Sequence, residues 1–307
     1  MSKKIVFMGT PEFSVKILKS LYQNGYPIST VYTQPPKKSN RGLKLTRTPV
    51  HKISELLNIE VRTPITFKNN NDEYEYLKKL DPDLCIVVAF GLIIPEKFLN
   101  LSKKGFINIH ASILPKYRGA APIQRAIMNL DKKTGISIMK ITSKLDAGPI
   151  SNIYEIEMKS DYNYEIVSEK LSSLASEKIL DEIDNIMEDK VDFRNQDDDK
   201  ASYAKKIGKS ESKINWNMSA DKILGVINGL YPSPAAWFNY NGERYKILEA
   251  EISDTSGETG VVLDDFLKVG CESKSINIKR IQREGKNPQK VGEFMLGSKI
   301  KKGSILN

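Results

Sequence analysis

Cysteine is almost missing from this chain: Cys85 and Cys271 are the only two in 307 residues, and neither belongs to a CxxC pair or a Cys/His cluster. The sequence therefore offers no disulfide framework and no zinc knuckle, and it suits a reducing compartment. Histidine is equally scarce, with His51 and His110 alone. No apolar run is long enough to cross a bilayer. The start passes from Lys3-Lys4 directly into Ile5-Val6-Phe7-Met8, without the apolar core and small-residue cleavage site of a secretion signal. These absences lead to the expectation of a cytoplasmic protein with no membrane partner and no metal. One more absence bears on cofactors. Gly9-Thr10-Pro11 follows the first apolar run, but Gly-x-Gly-x-x-Gly does not occur and no acidic residue ends the second strand, so a dinucleotide is not expected.

Basic charge, in contrast, is abundant and unevenly placed. The net charge is +9. Between Pro35 and Ser54 stand Lys37, Lys38, Arg41, Lys44, Arg47 and Lys52, with no acidic residue among them. The last forty residues carry ten basic and three acidic side chains, so the rest of the chain is mildly acidic. Clustered positive charge attracts polyanions through counterion release, which makes nucleic acid a natural partner. A generally lysine-rich composition would produce the same C-terminal excess, and it accounts less well for the isolated basic loop.

A chain of this length accommodates two domains, each with a core of its own. The first half alternates apolar runs with helix-period segments, the pattern of an open α/β sheet. Strands are predicted at residues 4–8, 28–33, 83–90, 105–111, 135–141 and 150–158, with helices at 13–24 and 163–190. The unbroken Leu84-Cys85-Ile86-Val87-Val88-Ala89 run suits a central parallel strand covered on both faces. Residues 1–190 thus read as a Rossmann-like domain with a mostly parallel sheet. Residues 191–210 turn polar and read as a linker. Residues 211–307 carry a short helix and several short strands, two of them joined by an Asn241-Gly242 turn, and read as a small OB-like β-barrel domain.

The most informative stretch is Asn108-Ile109-His110. Strand periodicity puts Asn108 and His110 on one face while Ile107 and Ile109 point the other way. They sit where a strand ends, the place where open α/β sheets build their sites. A core histidine with a polar neighbour would look the same. Two features favour a site instead. The Pro/Gly-punctuated loop at 114–122 follows immediately, and Leu145-Asp146-Ala147-Gly148 places a carboxylate in a small-residue turn after another strand. If those two strands are neighbours, Asp146 reaches His110. The trio Asn108, His110 and Asp146 has no serine or cysteine nucleophile attached, which points to direct transfer of an acyl group onto an amine. Asn108 and protonated His110 would donate to the oxyanion, and Asp146 would favour the imidazolium and help pass the proton.

These residues resemble the methionyl-tRNA formyltransferase family over nearly the whole chain. The shared pieces are Met8-Gly9-Thr10-Pro11-Glu12-Phe13, the Phe90–Pro95 and Asn108–Pro122 segments, Leu145-Asp146-Ala147-Gly148 and Tyr203-Ala204-Lys205-Lys206-Ile207. The resemblance implies a soluble formyltransferase without metal that takes its formyl group from 10-formyltetrahydrofolate and delivers it to initiator methionyl-tRNA. It implies Asn108, His110 and Asp146 as the catalytic trio. Phe90, Gly91, Leu92, Ile93, Ser112, Ile113, Leu114 and Pro115 would line the folate pocket. Lys37, Lys38, Arg41, Lys44 and Arg47 would form the loop that grips the tRNA acceptor end, with the C-terminal barrel as a tRNA-binding appendage. Ile113, Met8 and the alanine of Ser233-Pro234-Ala235-Ala236 depart from the family's usual residues without removing a chemical group. Nothing in the sequence demands more than a monomer. Formyltransferases acting on glycinamide ribonucleotide or on sugar amines share the trio, so the acceptor rests on the accessory basic segments. A catalytically idle RNA-binding module remains the reading from a different class.

Overall fold

The computed structural model describes residues 3–39 and 44–307. It divides into two compact units. The first comprises residues 1–120, 135–156 and 168–203, and the second residues 121–134, 157–167 and 204–307.

The first unit is built on a seven-stranded sheet. Its strands are β1 (Ile5–Gly9), β2 (Ile28–Tyr32), β5 (Val61–Arg62), β6 (Leu84–Val88), β7 (Phe106–His110), β9 (Lys133–Lys140) and β10 (Ile150–Glu157), in the spatial order β10-β9-β7-β6-β1-β2-β5. β1, β2, β5, β6 and β7 run parallel, and β9 pairs antiparallel with β7. Every residue of β1 and β6 is buried, as expected of central strands covered on both faces. On one face Val6, Met8, Cys85 and Val87 pack with Tyr32, Phe67, Phe90, Phe98 and Phe106. Each such side chain withdrawn from water contributes about 1.5–3 kcal/mol.

Helix α1 (Glu12–Gln23) starts behind Pro11 with Glu12 in its first turn. It buries Phe13, Val15, Ile17, Leu18 and Leu21 at helical spacing. It ends at Asn24 and Gly25, where φ of +79° requires glycine. The long helix α6 (Tyr164–Met187) lies beside it, and Ser172 donates to the Phe13 carbonyl at 2.8 Å. Helix α2 (Pro49–Leu56) is capped by Thr48, whose hydroxyl accepts from the His51 N–H at 3.0 Å. Helix α3 (Asn71–Leu80) is largely polar, but Tyr74, Leu77 and Leu80 recur at helical spacing and pack on the core. The Asn70 cap, Asp72 and Glu73 in the first turn, and Lys78 and Lys79 in the last reinforce it. A one-turn helix, α4 (Glu96–Leu99), precedes β7. Between β2 and α2 the basic segment contains an antiparallel hairpin, β3 (Lys37–Ser39) with β4 (Lys44–Thr46).

In the second unit, helix α5 (Pro122–Met128) packs against helix α7 (Ala220–Leu230). Gly225 and Gly229 allow the approach: a Cβ on Gly229 would meet Met128 Cγ at 2.7 Å and the Gln124 carbonyl at 3.1 Å. The remainder is antiparallel, in agreement with the expected fold class. β12 (Ala236–Tyr240), β13 (Glu243–Ser253), β15 (Ser275–Arg283) and β14 (Lys268–Gly270) form a sheet in that order, with β16 (Gln289–Lys290) also on β15. The Asn241-Gly242 turn has φ of 48° and 79°, the doubly left-handed geometry that closes a two-residue hairpin between Tyr240 and Glu243. Helix α8 (Val291–Leu296) completes a core of Trp216, Phe238, Ile247, Val269, Ile276, Ile278 and Phe294. The first unit also contains the short strand β8 (Arg118–Gly119), and β11 (Tyr203–Ala204) begins at that unit's last residue.

Candidate active site

β7 carries Asn108 and His110 on the face opposite Ile107 and Ile109, both of which are buried. Because β9 is its antiparallel neighbour, His110 lies across from Ser137 and Asn108 across from Met139. The turn leaving β9 brings Asp146 to the same place. Asp146 Oδ1 lies 3.5 Å from Asn108 Nδ2, and Oδ2 lies 3.7 Å from His110 Nδ1. The amide, the imidazole and the carboxylate therefore converge without saturating one another. His110 is 6% exposed, Asn108 half-buried.

The loop after β7 supplies the remaining partners. His110 Nε2 bonds the Tyr117 carbonyl at 2.9 Å, and the Gly119 N–H donates to Asp146 Oδ2 at 2.8 Å. A carbonyl oxygen only accepts, so Nε2 carries a proton and Nδ1 is the ring nitrogen that faces the carboxylate. Tyr117, Gly119 and Asp146 all adopt positive φ, of 62°, 121° and 45°. Left-handed backbone at non-glycine positions persists only where surrounding contacts hold it, and it concentrates at functional sites. Ser137 on β9 ties the loop to the sheet, donating to the Ser112 carbonyl at 2.7 Å and accepting from the Leu114 N–H at 3.1 Å.

Beyond Asp146, Gly148 must be glycine for want of room: a Cβ there would fall 1.8 Å from the Lys140 carbonyl oxygen. The small-residue turn noticed in the sequence thus has a steric reason.

The residues expected to line a folate pocket divide by burial. Phe90, Ser112 and Leu114 are buried, and Phe90 packs edge-on to Phe67 within the core. Leu92, Ile113 and Pro115 are half-buried, while Gly91 and Ile93 are exposed, Ile93 at 89%. An exposed isoleucine beside the strand ends offers apolar surface to a ring system. Gly91 at φ +79° and Ala89 at 45° turn the backbone there. The Phe90 carbonyl accepts from Thr10 Oγ1 at 2.7 Å and Gln34 Nε2 at 3.1 Å.

Of the basic segment, Lys37 and Lys38 on β3 and Arg47 just after β4 are exposed, Lys37 donating to Gln34 Oε1 at 2.6 Å and Arg47 paired with Glu55 at 2.8 Å. Lys44 opens β4, and Arg41 lies outside the described residues. Among the described residues no three His, Cys, Asp or Glu side chains are grouped to hold a metal. Burial raises the Cys85 thiol well above its ordinary range and that of Cys271 to about 11, so neither is a ready nucleophile.

The sequence reading missed Gln196 and Ser202. Gln196 Nε2 donates to the carbonyls of Asp146 and Gly148, at 2.9 and 2.8 Å. Its Oε1 accepts from Arg118 Nε and Nη2, at 3.0 and 2.8 Å. Ser202 Oγ accepts from the Tyr117 N–H at 2.9 Å and its carbonyl from the Arg118 N–H at 2.8 Å. Both residues come from a stretch that polarity alone marks as a linker, and no local pattern sets them apart.

The chain matches two family models, "Formyl transferase" over residues 3–183 and "Formyl transferase, C-terminal domain" over residues 206–299. Among curated proteins it is 61% identical over 305 residues to the methionyl-tRNA formyltransferase of Pelagibacter ubique, covering 99% of this chain and 98% of that one. It is 39% identical to the protein of the same name from Rhizobium rhizogenes, covering 100% and 98%. Solved structures share the fold at lower identity. An N-formyltransferase from Helicobacter canadensis, crystallised with folinic acid and dTDP-3-aminofucose, superposes with a TM-score of 0.69 at 18% identity, covering 92% of this chain and all of that one. HypX from Aquifex aeolicus superposes at 0.68 and 16%, covering 97% and 48%. With both halves matched and relatives aligned end to end, the chain belongs to the methionyl-tRNA formyltransferase family.

Proposed function

We propose that this protein transfers the formyl group of 10-formyltetrahydrofolate to the α-amino group of methionine on initiator methionyl-tRNA. The observation that carries this reading is the convergence of Asn108, His110 and Asp146 in a chain related along its full length to proteins of that name. Two sugar formyltransferases share the fold at 17% identity, so the alternative of another amine acceptor has weaker support.

The reaction needs a neutral amine, stabilisation of an oxyanion and a proton for the departing nitrogen. The amine nitrogen attacks the formyl carbon, and the C=O electron pair moves onto oxygen. Asn108 Nδ2–H and the Nδ1–H of protonated His110 donate to that oxygen. Asp146 stabilises the imidazolium and takes up the proton that the amine releases. Collapse of the intermediate breaks the C–N bond to the folate nitrogen, and the proton that Asp146 took from the amine passes to that nitrogen as it leaves, restoring the carboxylate. Phe90, Gly91, Leu92, Ile93, Ser112, Ile113, Leu114 and Pro115 form the folate pocket, to which Ile93 contributes exposed apolar surface.

Lys37, Lys38, Arg41, Lys44 and Arg47 meet the phosphates of the acceptor end, and the basic C-terminal domain extends that contact. In this division of labour residues 1–190 bind folate and perform the transfer, 191–210 connect, and 211–307 bind tRNA. The protein acts as a cytoplasmic monomer.

The test is an assay with 10-formyltetrahydrofolate and charged initiator or elongator methionyl-tRNA. Transfer to the initiator species alone is expected. Transfer to a nucleotide sugar but to neither tRNA, or no transfer at all, overturns the reading.

A further inference from the structure

Asp146 is held from two directions by one short piece of chain. Its carboxylate accepts from the N–H of Gly119. Its backbone carbonyl accepts from Gln196, and Gln196 is held in turn by the guanidinium of Arg118, the residue next to Gly119. The result is a closed hydrogen-bonded ring through Gly119, Asp146, Gln196 and Arg118. Arg118 is 3% exposed, and its Nη2 also pairs with Asp198 Oδ1 at 2.7 Å. His110 is indexed to the same loop through the Tyr117 carbonyl.

Within this ring the amide group of Gln196 has a specific duty. Its two N–H donors bridge the carbonyls on either side of Ala147, across the turn in which Asp146 stands at φ 45°. That conformation is strained at a non-glycine residue and needs external support. The Gln196 oxygen is occupied by Arg118, so the amide cannot reverse without setting NH2 against guanidinium. The orientation of both ends is thereby fixed.

We infer that Gln196 is a positioning residue for formyl transfer: braced by Arg118, it holds the Asp146 turn so that the carboxylate addresses His110 Nδ1. This rests on the function proposed above. Gln196 acts on the carboxylate through the backbone of the turn. Its loss lets the turn relax toward ordinary backbone angles and swings the carboxylate away, and misplacement of about 1 Å in such a site costs on the order of 100-fold in rate.

Two substitutions separate positioning from support of the fold. Gln196→Ala removes both ends of the brace. Gln196→Glu keeps, and strengthens, the acceptor for Arg118 but sets a carboxylate oxygen against the carbonyls of Asp146 and Gly148. Formyl transfer to initiator methionyl-tRNA is followed with the full-length protein. In both variants kcat is expected to fall at least about tenfold while KM for folate and for tRNA stays within about threefold. A second readout is nitrogen-detected NMR of the two imidazoles at fixed pH. The His110 ring signals should shift in both variants, and those of His51 should not. Wild-type kcat with unshifted His110 signals overturns the proposal. So does a loss in Gln196→Ala alone that comes with a lowered melting temperature and a proportionate rise in both KM values, because a support role then suffices. Failure of the wild-type protein to transfer formyl would instead sink the functional reading, before any variant is compared.

Discussion

His110 Nε2 lies 2.9 Å from the carbonyl oxygen of Tyr117, a residue seven positions further along the chain. That contact settles which imidazole nitrogen addresses Asp146, and it makes the Tyr117-Arg118-Gly119 loop part of the candidate catalytic machinery. Substitutions around it therefore have distinguishable consequences.

Asn108→Ala should lower kcat by roughly 100- to 1,000-fold, the usual cost of removing an oxyanion donor. His110→Ala and Asp146→Asn should each cost about 100- to 10,000-fold, as expected for general acid–base groups. All three should keep their circular dichroism spectrum, since the side chains sit at the mouth of the sheet rather than in its apolar core. Near-normal rates in the three variants would remove the trio from the mechanism.

Gly148→Ala addresses shape instead of chemistry. With only 1.8 Å between a new Cβ and the Lys140 carbonyl, the β9–β10 turn must move. A loss of about 3 kcal/mol or more in chemical denaturation is expected, along with activity. Gly292→Ala, where nothing lies within 4 Å of the added carbon, serves as a neutral control.

Reversing Lys37, Lys38 and Arg47 to glutamate should raise KM for tRNA at least tenfold and leave KM for folate unchanged. The slope of log affinity against log salt should flatten by about 0.9 for each phosphate that is no longer neutralised, or about 0.7 where that phosphate belongs to a single strand. An unaltered salt dependence would exclude the hairpin from the tRNA interface.

Asp83 provides a pH-dependent test of stability. The backbone N–H of Lys4, 2.7 Å away, and then Lys103 hold its carboxyl below the ordinary value of 3.8. A carboxyl with a depressed folded-state pKa stabilises above its unfolded value, and the benefit disappears as pH falls through the folded value. Asp83→Asn should therefore be less stable by about 1 kcal/mol at neutral pH. Its deficit should close as the solution is acidified below 3.8, measured by thermal melts across pH. A deficit independent of pH would contradict this.

Much of the architecture follows from local pattern. The apolar run of β6 announces a doubly covered strand, period two puts Asn108 and His110 on one face of β7, and Asn241-Gly242 dictates its hairpin. Each of these depends on neighbours within a few residues, because backbone geometry alone sets the spacing of side chains. Helix α3 is less legible, since its apolar stripe is only Tyr74, Leu77 and Leu80 in an otherwise polar run. The hairpin within the basic segment is likewise hidden under its charge.

Tertiary structure decided the rest. That β9 lies beside β7, bringing Asp146 to Asn108 across 38 residues, follows from how the sheet buries its strands and not from any motif. Gln196 reaches Asp146 across 50 residues and Arg118 across 78, although its own neighbours mark it only as polar chain. Residue types limit which groups can do chemistry. Which of them meet is determined by strand order and by the need of buried backbone and side-chain groups for hydrogen-bond partners, and both are satisfied only once the whole unit has folded.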